Sequence, residues 1–154
     1  YASLHIFGRR GYELLIDQSI EKAHAFADMI NRHPDFELIT APTLSLLTYR
    51  VCPKLVQDKL RTIPAKARRA LNQKIDRLIV NVQKQQREAG KSFVSRTRLE
   101  PPAYPNQSLT VFRVVLANPL TTHNDLSAIL AEQHMIASNM KLWEELTESE
   151  RSLT

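Results

Sequence analysis

The feature that most limits the fold is the run from Pro64 to Glu88, a helix-periodic stretch set between two pairs of short strand-like segments. Ala67, Leu71, Ile75, Leu78 and Val82 recur there at the spacing of one helical face. Pro64 suits the first turn of such a helix, and Gly90 suits its end. Upstream, "DFELIT" (35–40) and "LSLLTYRVC" (44–52) read as strands joined through "APT", short enough for an antiparallel hairpin. Downstream, "SFVSRTRL" (92–99) and "TVFRVVLA" (110–117) form a second pair, joined by the Pro-rich polar loop "EPPAYPNQS".

Helical patterns flank these pairs. Leu4, Phe7, Leu15, Ile16, Ile20, Ala23, Phe26 and Ile30 predict a long amphipathic helix that Pro34 stops at "RHPD". Gly8 and Gly11 would share one face near its start, where the usual return for their cost is close approach of another backbone. Alternatively the segment before Gly11 is a loop and the helix begins at Tyr12. After "NPLTTHND", Thr122 and Asp125 are spaced as a capping-box variant, opening a helix that buries Leu126, Ile129, Leu130, Ile136 and Met140. Trp143 and Leu146 mark a further short helix or an arm. The predicted organisation is one domain over 1–154: a long helix (1–33), a hairpin (35–52), a helical basic segment (53–90), a second strand pair (92–117) and C-terminal helices (122–154). Its order, α-β-β-α-β-β-α, implies an α+β fold: a four-stranded, mainly antiparallel sheet with helices packed on one face. The other face is then left for a further domain or subunit.

Composition narrows the class. With 43% hydrophobic and 24% charged residues, the 154-residue chain reads as an ordinary soluble globular protein. No apolar run approaches the roughly 20 residues that span a bilayer, and no signal-peptide pattern is present, so no membrane partner is expected. The single cysteine, Cys52, excludes an internal disulfide framework and fits a reducing cytoplasm. The chain starts at Tyr1 rather than Met and enters an amphipathic pattern at Leu4, which reads as a piece of something longer. The net charge of +5 belongs to one segment: residues 54–98 hold 13 Lys/Arg against 3 Asp/Glu, and the rest of the chain 8 against 13. Lys66, Arg69, Lys74, Arg77, Lys84 and Arg87 mostly avoid the apolar stripe, which makes a solvated basic face the better account. No aromatic residue interleaves with the charges between 53 and 92, so nucleic-acid binding, though helped by such charge, is not expected.

Few residues suggest chemistry. The five histidines (5, 24, 33, 123 and 134) offer no i, i+4 pair and no nearby cysteine, so no metal site is expected. His24 and His134 read as surface or partly buried helix residues. Cys52 has no adjacent base and reads as a structural thiol. There is no Gly-x-Ser-x-Gly elbow, no phosphate-cradling loop and no complete catalytic set. Arg113 is the exception. It interrupts Val111, Phe112, Val114, Val115 and Leu116, where an unpaired buried cation would be strongly destabilising. By alternation it shares a face with Val111, Val115 and Ala117, while Phe112, Val114 and Leu116 face the helices. A guanidinium is a planar fork suited to a carboxylate. Its partner is either an internal acid such as Glu37 or a ligand, or the side chain is simply exposed.

Four segments in this order, "GRRGYELLIDQSIEKAHAFADMI", "FELITAP…LLTYR", "GKSFVSRTRL" and "VFRVVLANPLTTHNDL", resemble the carboxyl-terminal region of the pyridoxal-phosphate-dependent group II amino-acid decarboxylases. The resemblance covers about Leu4 to Asn139 and is nearest to the bacterial type that decarboxylates aspartate to β-alanine, with glutamate decarboxylase, which yields GABA, next. It implies the small C-terminal domain of a fold-type I enzyme, packed on a larger cofactor domain in a homodimer, with Gly8 and Gly11 at the interdomain packing. It also implies pyridoxal 5′-phosphate held mainly by that larger domain, and an acidic amino-acid substrate whose carboxylate Arg113 binds. In the family the cofactor lysine follows a histidine, whereas the histidines here precede Ile6, Ala25, Pro34, Asn124 and Met135. No catalytic residue is therefore expected in this chain, and by itself it should be inactive. A non-catalytic interaction or dimerisation module is the alternative reading.

Overall fold

The two strand pairs merge into a single sheet. The computed structural model describes residues 2–151, with side chains described over 8–148. In chain order the elements are α1 (Ala2–Arg32), β1 (Phe36–Thr43), β2 (Leu46–Val51), α2 (Lys54–Thr62), α3 (Ala65–Ala89), β3 (Ser95–Leu99), β4 (Leu109–Val115), α4 (His123–Ser138) and α5 (Lys141–Arg151). The strand order is β1-β2-β4-β3 and every pairing is antiparallel. The α+β expectation therefore holds. Central β4, with Val111 and Phe112 fully buried, joins the two pairs through β2.

Alternation gives the sheet two faces. Leu47, Tyr49, Val51 and Phe112 point into the helix layer. There the Tyr49 ring stands edge-on to Phe26 of α1 and tilts against Phe112, each at 5.4 Å between centroids. The Tyr49 hydroxyl donates to Gln133 Oε1 of α4 at 2.9 Å, and Gln133 donates onward to Gln86 of α3 at 3.2 Å. Buried polar groups left unpaired cost free energy, so this chain of bonds fixes how the three elements meet.

Several boundaries differ from the sequence reading, each for a local reason. The amphipathic stripe of α1 buries Ala23, Phe26, Ala27 and Ile30, but Leu14 and Ile16 farther up are exposed. The side chains of His5, Leu4 and Phe7 lie outside the described residues. Gly8 does not share a continuous helical face with Gly11: it kinks α1 at φ 61°, ψ 178°, a conformation essentially reserved for glycine. No described atom lies within 4 Å of where its Cβ would stand, so backbone shape is what calls for glycine there. "APT" is strand rather than turn. β1 runs on through Pro42, which an edge strand tolerates, and the reversal falls at Leu44, at φ 54°.

Along α3, Ala67 is exposed and Leu71 half-buried, while Asn72, Ile75, Leu78, Ile79, Val82, Gln83 and Gln86 form the buried stripe. Pro64 sits at its N-cap and Gly90 caps it in the left-handed region at φ 69°. The basic residues Lys66, Arg69, Lys74, Arg77, Lys84 and Arg87 are all exposed. The capping box forms as expected: Thr122 accepts from the Asp125 amide, and the Asp125 carboxylate accepts from the Thr122 amide. Met140 follows the end of α4, and the tail is helical, with Leu146 buried.

Candidate functional site

Two arginines project from the sheet face opposite Tyr49. Arg50 on β2 is fully buried. Its Nε donates to Glu37 Oε2 at 2.7 Å, Nη1 donates to Asn72 Oδ1 at 2.9 Å, and its guanidinium carbon lies 4.8 Å from the Tyr104 ring centroid. Tyr104, from the Pro-rich loop, also donates its hydroxyl to Glu37 Oε1 at 2.7 Å. Desolvation works to lower the Arg50 pKa, but Cys52, Glu37 and Tyr104 outweigh it and the net direction is upward. Arg50 is thus a charge sealed under a loop with its counter-ion beside it.

Arg113 on β4 differs in each respect. It is exposed, and no side-chain hydrogen bond or ion pair holds it among the described residues. Glu37, the internal acid proposed from spacing, is cross-strand from Arg50 and committed to it. The expected face is correct: Phe112 is buried toward the helices, and Arg113 points the other way. Around it Leu46, Phe93 and Val115 are exposed apolar side chains, and Leu46 pairs directly with Val115. The following loop is pinned to α1, where Lys22 Nζ donates to the carbonyls of Asn118 at 2.8 Å and Pro119 at 3.1 Å. Exposed apolar surface rimming a single cation is the pattern of a contact surface.

Arg113 also borders a cleft of about 350 Å³ that runs between sheet and helices past Phe93, Val114, Leu126 and Ile129. Neither a lysine nor an acid lines it. It therefore supplies nothing to carry a pyridoxal group covalently and no carboxylate to meet its ring nitrogen. The residues of this cleft do not fit that cofactor.

The remaining candidates take plain positions. Cys52 is fully buried, and burial pushes its thiol up to about 12, which leaves it unreactive as a nucleophile. His24 is exposed, and His134 pairs with Asp35 at 2.9 Å. Among the described residues no group of three potential ligands could hold a metal ion. Nor is any helix among them long and apolar enough to cross a membrane. Arg50 escaped the sequence reading although "LLTYRVC" carries the same signal as the Arg113 segment, a cation inside an apolar run.

No protein-family model matches the chain. In sequence it is 53% identical over 142 residues to an aspartate 1-decarboxylase of Aliivibrio fischeri, covering 92% of this chain and 26% of that protein. In structure it resembles mouse CSAD in its apo form (TM-score 0.75, 17% identity, 90% of this chain and 27% of that one). It also resembles the glutamate decarboxylase domain of a diaminobutyrate-pyruvate transaminase and L-2,4-diaminobutyrate decarboxylase from Vibrio parahaemolyticus (TM-score 0.67, 19% identity, 90% and 25%). A third likeness is Oryza sativa TDC with PLP and tryptamine (TM-score 0.65, 14% identity, 89% and 25%). The chain spans about a quarter of the length of each of these relatives. The antiparallel sheet and the sequence match agree: the chain is similar in sequence to about a quarter of an aspartate 1-decarboxylase and shares the fold of a like share of these solved structures, in line with the resemblance its four sequence segments carry.

Proposed function

We propose that this chain is the small C-terminal domain of a pyridoxal-phosphate-dependent α-decarboxylase of an acidic amino acid, and that Arg113 binds a substrate carboxylate. The observation that carries the reading is the Arg113 guanidinium, exposed and without a partner among the described residues, on a sheet face whose other arginine, Arg50, is paired with Glu37. Such a fork binds a carboxylate through two parallel hydrogen bonds, which fixes orientation as well as position. Holding the acid still is the role assigned to Arg113. Binding the cofactor and moving protons fall to the rest of the enzyme. The match to an aspartate 1-decarboxylase supports aspartate, with β-alanine as product, over glutamate and GABA.

In this reading the exposed apolar residues around Arg113 pack against the larger cofactor domain, with Gly8 and Gly11 near the same seam. The homodimer belongs to it as well, and a free, buried Cys52 suits a cytoplasmic setting. The test is carbon dioxide release by the full-length protein, given L-aspartate and L-glutamate separately, with wild type and Arg113→Gln compared. The variant should keep the cofactor's absorbance and raise KM for the acid by about 30-fold or more, the scale of a charge pair truncated on one side. Wild-type kinetics in Arg113→Gln would remove the assignment.

A further inference from the structure

Arg113 stands in a transverse row that crosses all four strands. Thr40 pairs with Thr48, Thr48 with Arg113, and Arg113 with Ser95, so the row reads Thr40, Thr48, Arg113, Ser95 from edge to edge. Residues directly opposite on one face are close enough for their side chains to interact. Glu37 and Arg50 demonstrate the outcome when an acid takes such a position, because they are opposite each other and form an ion pair.

Beside Arg113 both flanking positions carry short hydroxyls, and both hydroxyls are engaged elsewhere. The Thr48 and Thr40 Oγ1 atoms share a hydrogen bond at 2.7 Å, and the Thr48 amide donates to Thr40 Oγ1 at 3.1 Å. Ser95 Oγ donates to the Arg113 carbonyl at 2.9 Å. That bond falls where the ladder ends, since Ser95–Arg113 is the first pair of β3 and the last that β4 makes with it. Strand ends open most readily, and the hydroxyl ties the start of edge strand β3 to central β4 at the residue whose side chain has to be placed.

We propose that Ser95 is a positioning residue for Arg113: it anchors that arginine's backbone through the carbonyl while offering its guanidinium no internal anion. This rests on the reading of Arg113 as the substrate-carboxylate ligand. A carboxylate at position 95 is then a built-in competitor of the substrate, whereas an amide of equal size is not.

The experiment takes the full-length decarboxylase with Ser95→Asp, Ser95→Asn, Ser95→Ala and Ser95→Thr, beside Arg113→Gln. It measures kcat and KM for the acidic substrate, cofactor absorbance, and the Kd of succinate, a non-reacting dicarboxylate, by calorimetry. Ser95→Asp should raise KM and the succinate Kd at least about fivefold, with kcat and absorbance near wild type, while Ser95→Asn stays within about twofold. Equal values for the Asp and Asn variants overturn the proposal. If Ser95→Asp loses the cofactor signal, the other pair decides: a higher KM in Ser95→Ala, restored in Ser95→Thr, supports the anchor, and wild-type KM in Ser95→Ala overturns it. Should Arg113→Gln leave KM and succinate binding unchanged, it is the substrate-ligand reading that falls.

Discussion

Arg50 and Arg113 point from the same face of one sheet, on neighbouring strands, and have opposite fates. Arg50 lies under the Pro-rich loop with Glu37, Asn72 and Tyr104 around it. Arg113 lies past the reach of that loop, flanked by hydroxyls that are bound elsewhere. The same side chain is thus a structural pin at one end of the sheet and an available charge at the other. The difference is set by whether an acid occupies the cross-strand position. A sheet that uses a guanidinium for both purposes needs the two kept apart, and the commitment of Glu37 to Arg50 does that.

The sharpest way to break the comparison is to remove the pin. Arg50→Met leaves Glu37 and Asn72 without their buried partner, and truncating one side of a buried pair costs about 3–5 kcal/mol. Urea unfolding of the full-length protein should show this as a lower midpoint for the unit containing β2. Pairing the change with Glu37→Gln should recover part of the loss, because the orphaned charge is then gone. A midpoint within error of wild type would mean that Arg50 holds nothing together.

A second test uses alkali and again separates the ends. Tyr49, Cys52 and Tyr104 lie on or against the Arg50 end, and burial raises the pKa of all three. For Cys52 the rise is from 9.0 to about 12. Between those values the unfolded chain loses a proton that the folded chain keeps. Stability from this group is complete below about pH 9 and declines as pH rises toward 12, at about 1.4 kcal/mol per pH unit. Cys52→Ala should flatten the slope of unfolding free energy between pH 9 and 11. An unchanged slope would show that the buried thiol does not contribute.

The contrast between the arginines also explains what could be read from the sequence. The apolar run around Arg113 gave its face correctly, because alternation is local and Phe112 is fully buried on the Tyr49 side of the sheet. The capping box at Thr122 and the left-handed Gly90 were equally local. Arg50 was overlooked because its partners, Glu37, Asn72 and Tyr104, come from three other segments, and nothing in the spacing of "LLTYRVC" announces them. Gly8 was misplaced for a related reason. A glycine in a helical pattern looks like a contact position, and only the backbone angles reveal a kink. The turn at Leu44 carries no glycine, and the "APT" expected to make it, Pro42 included, sits in an edge strand.

The smallest expected effect is the one that most sharpens the distinction. Arg113→Gln removes a cation as large as Arg50, from the same sheet face, yet it should change unfolding free energy by less than about 0.5 kcal/mol, as for exposed positions generally. No side-chain bond is lost, since among the described residues none is made, and the backbone bond from Ser95 goes to the carbonyl, which glutamine retains. Urea titration of wild type and variant, monitored by circular dichroism, measures it. A loss approaching that of Arg50→Met would mean that Arg113 is a structural residue whose partner lies elsewhere in the protein. An unchanged midpoint with a raised KM would mean that the charge is kept for a ligand.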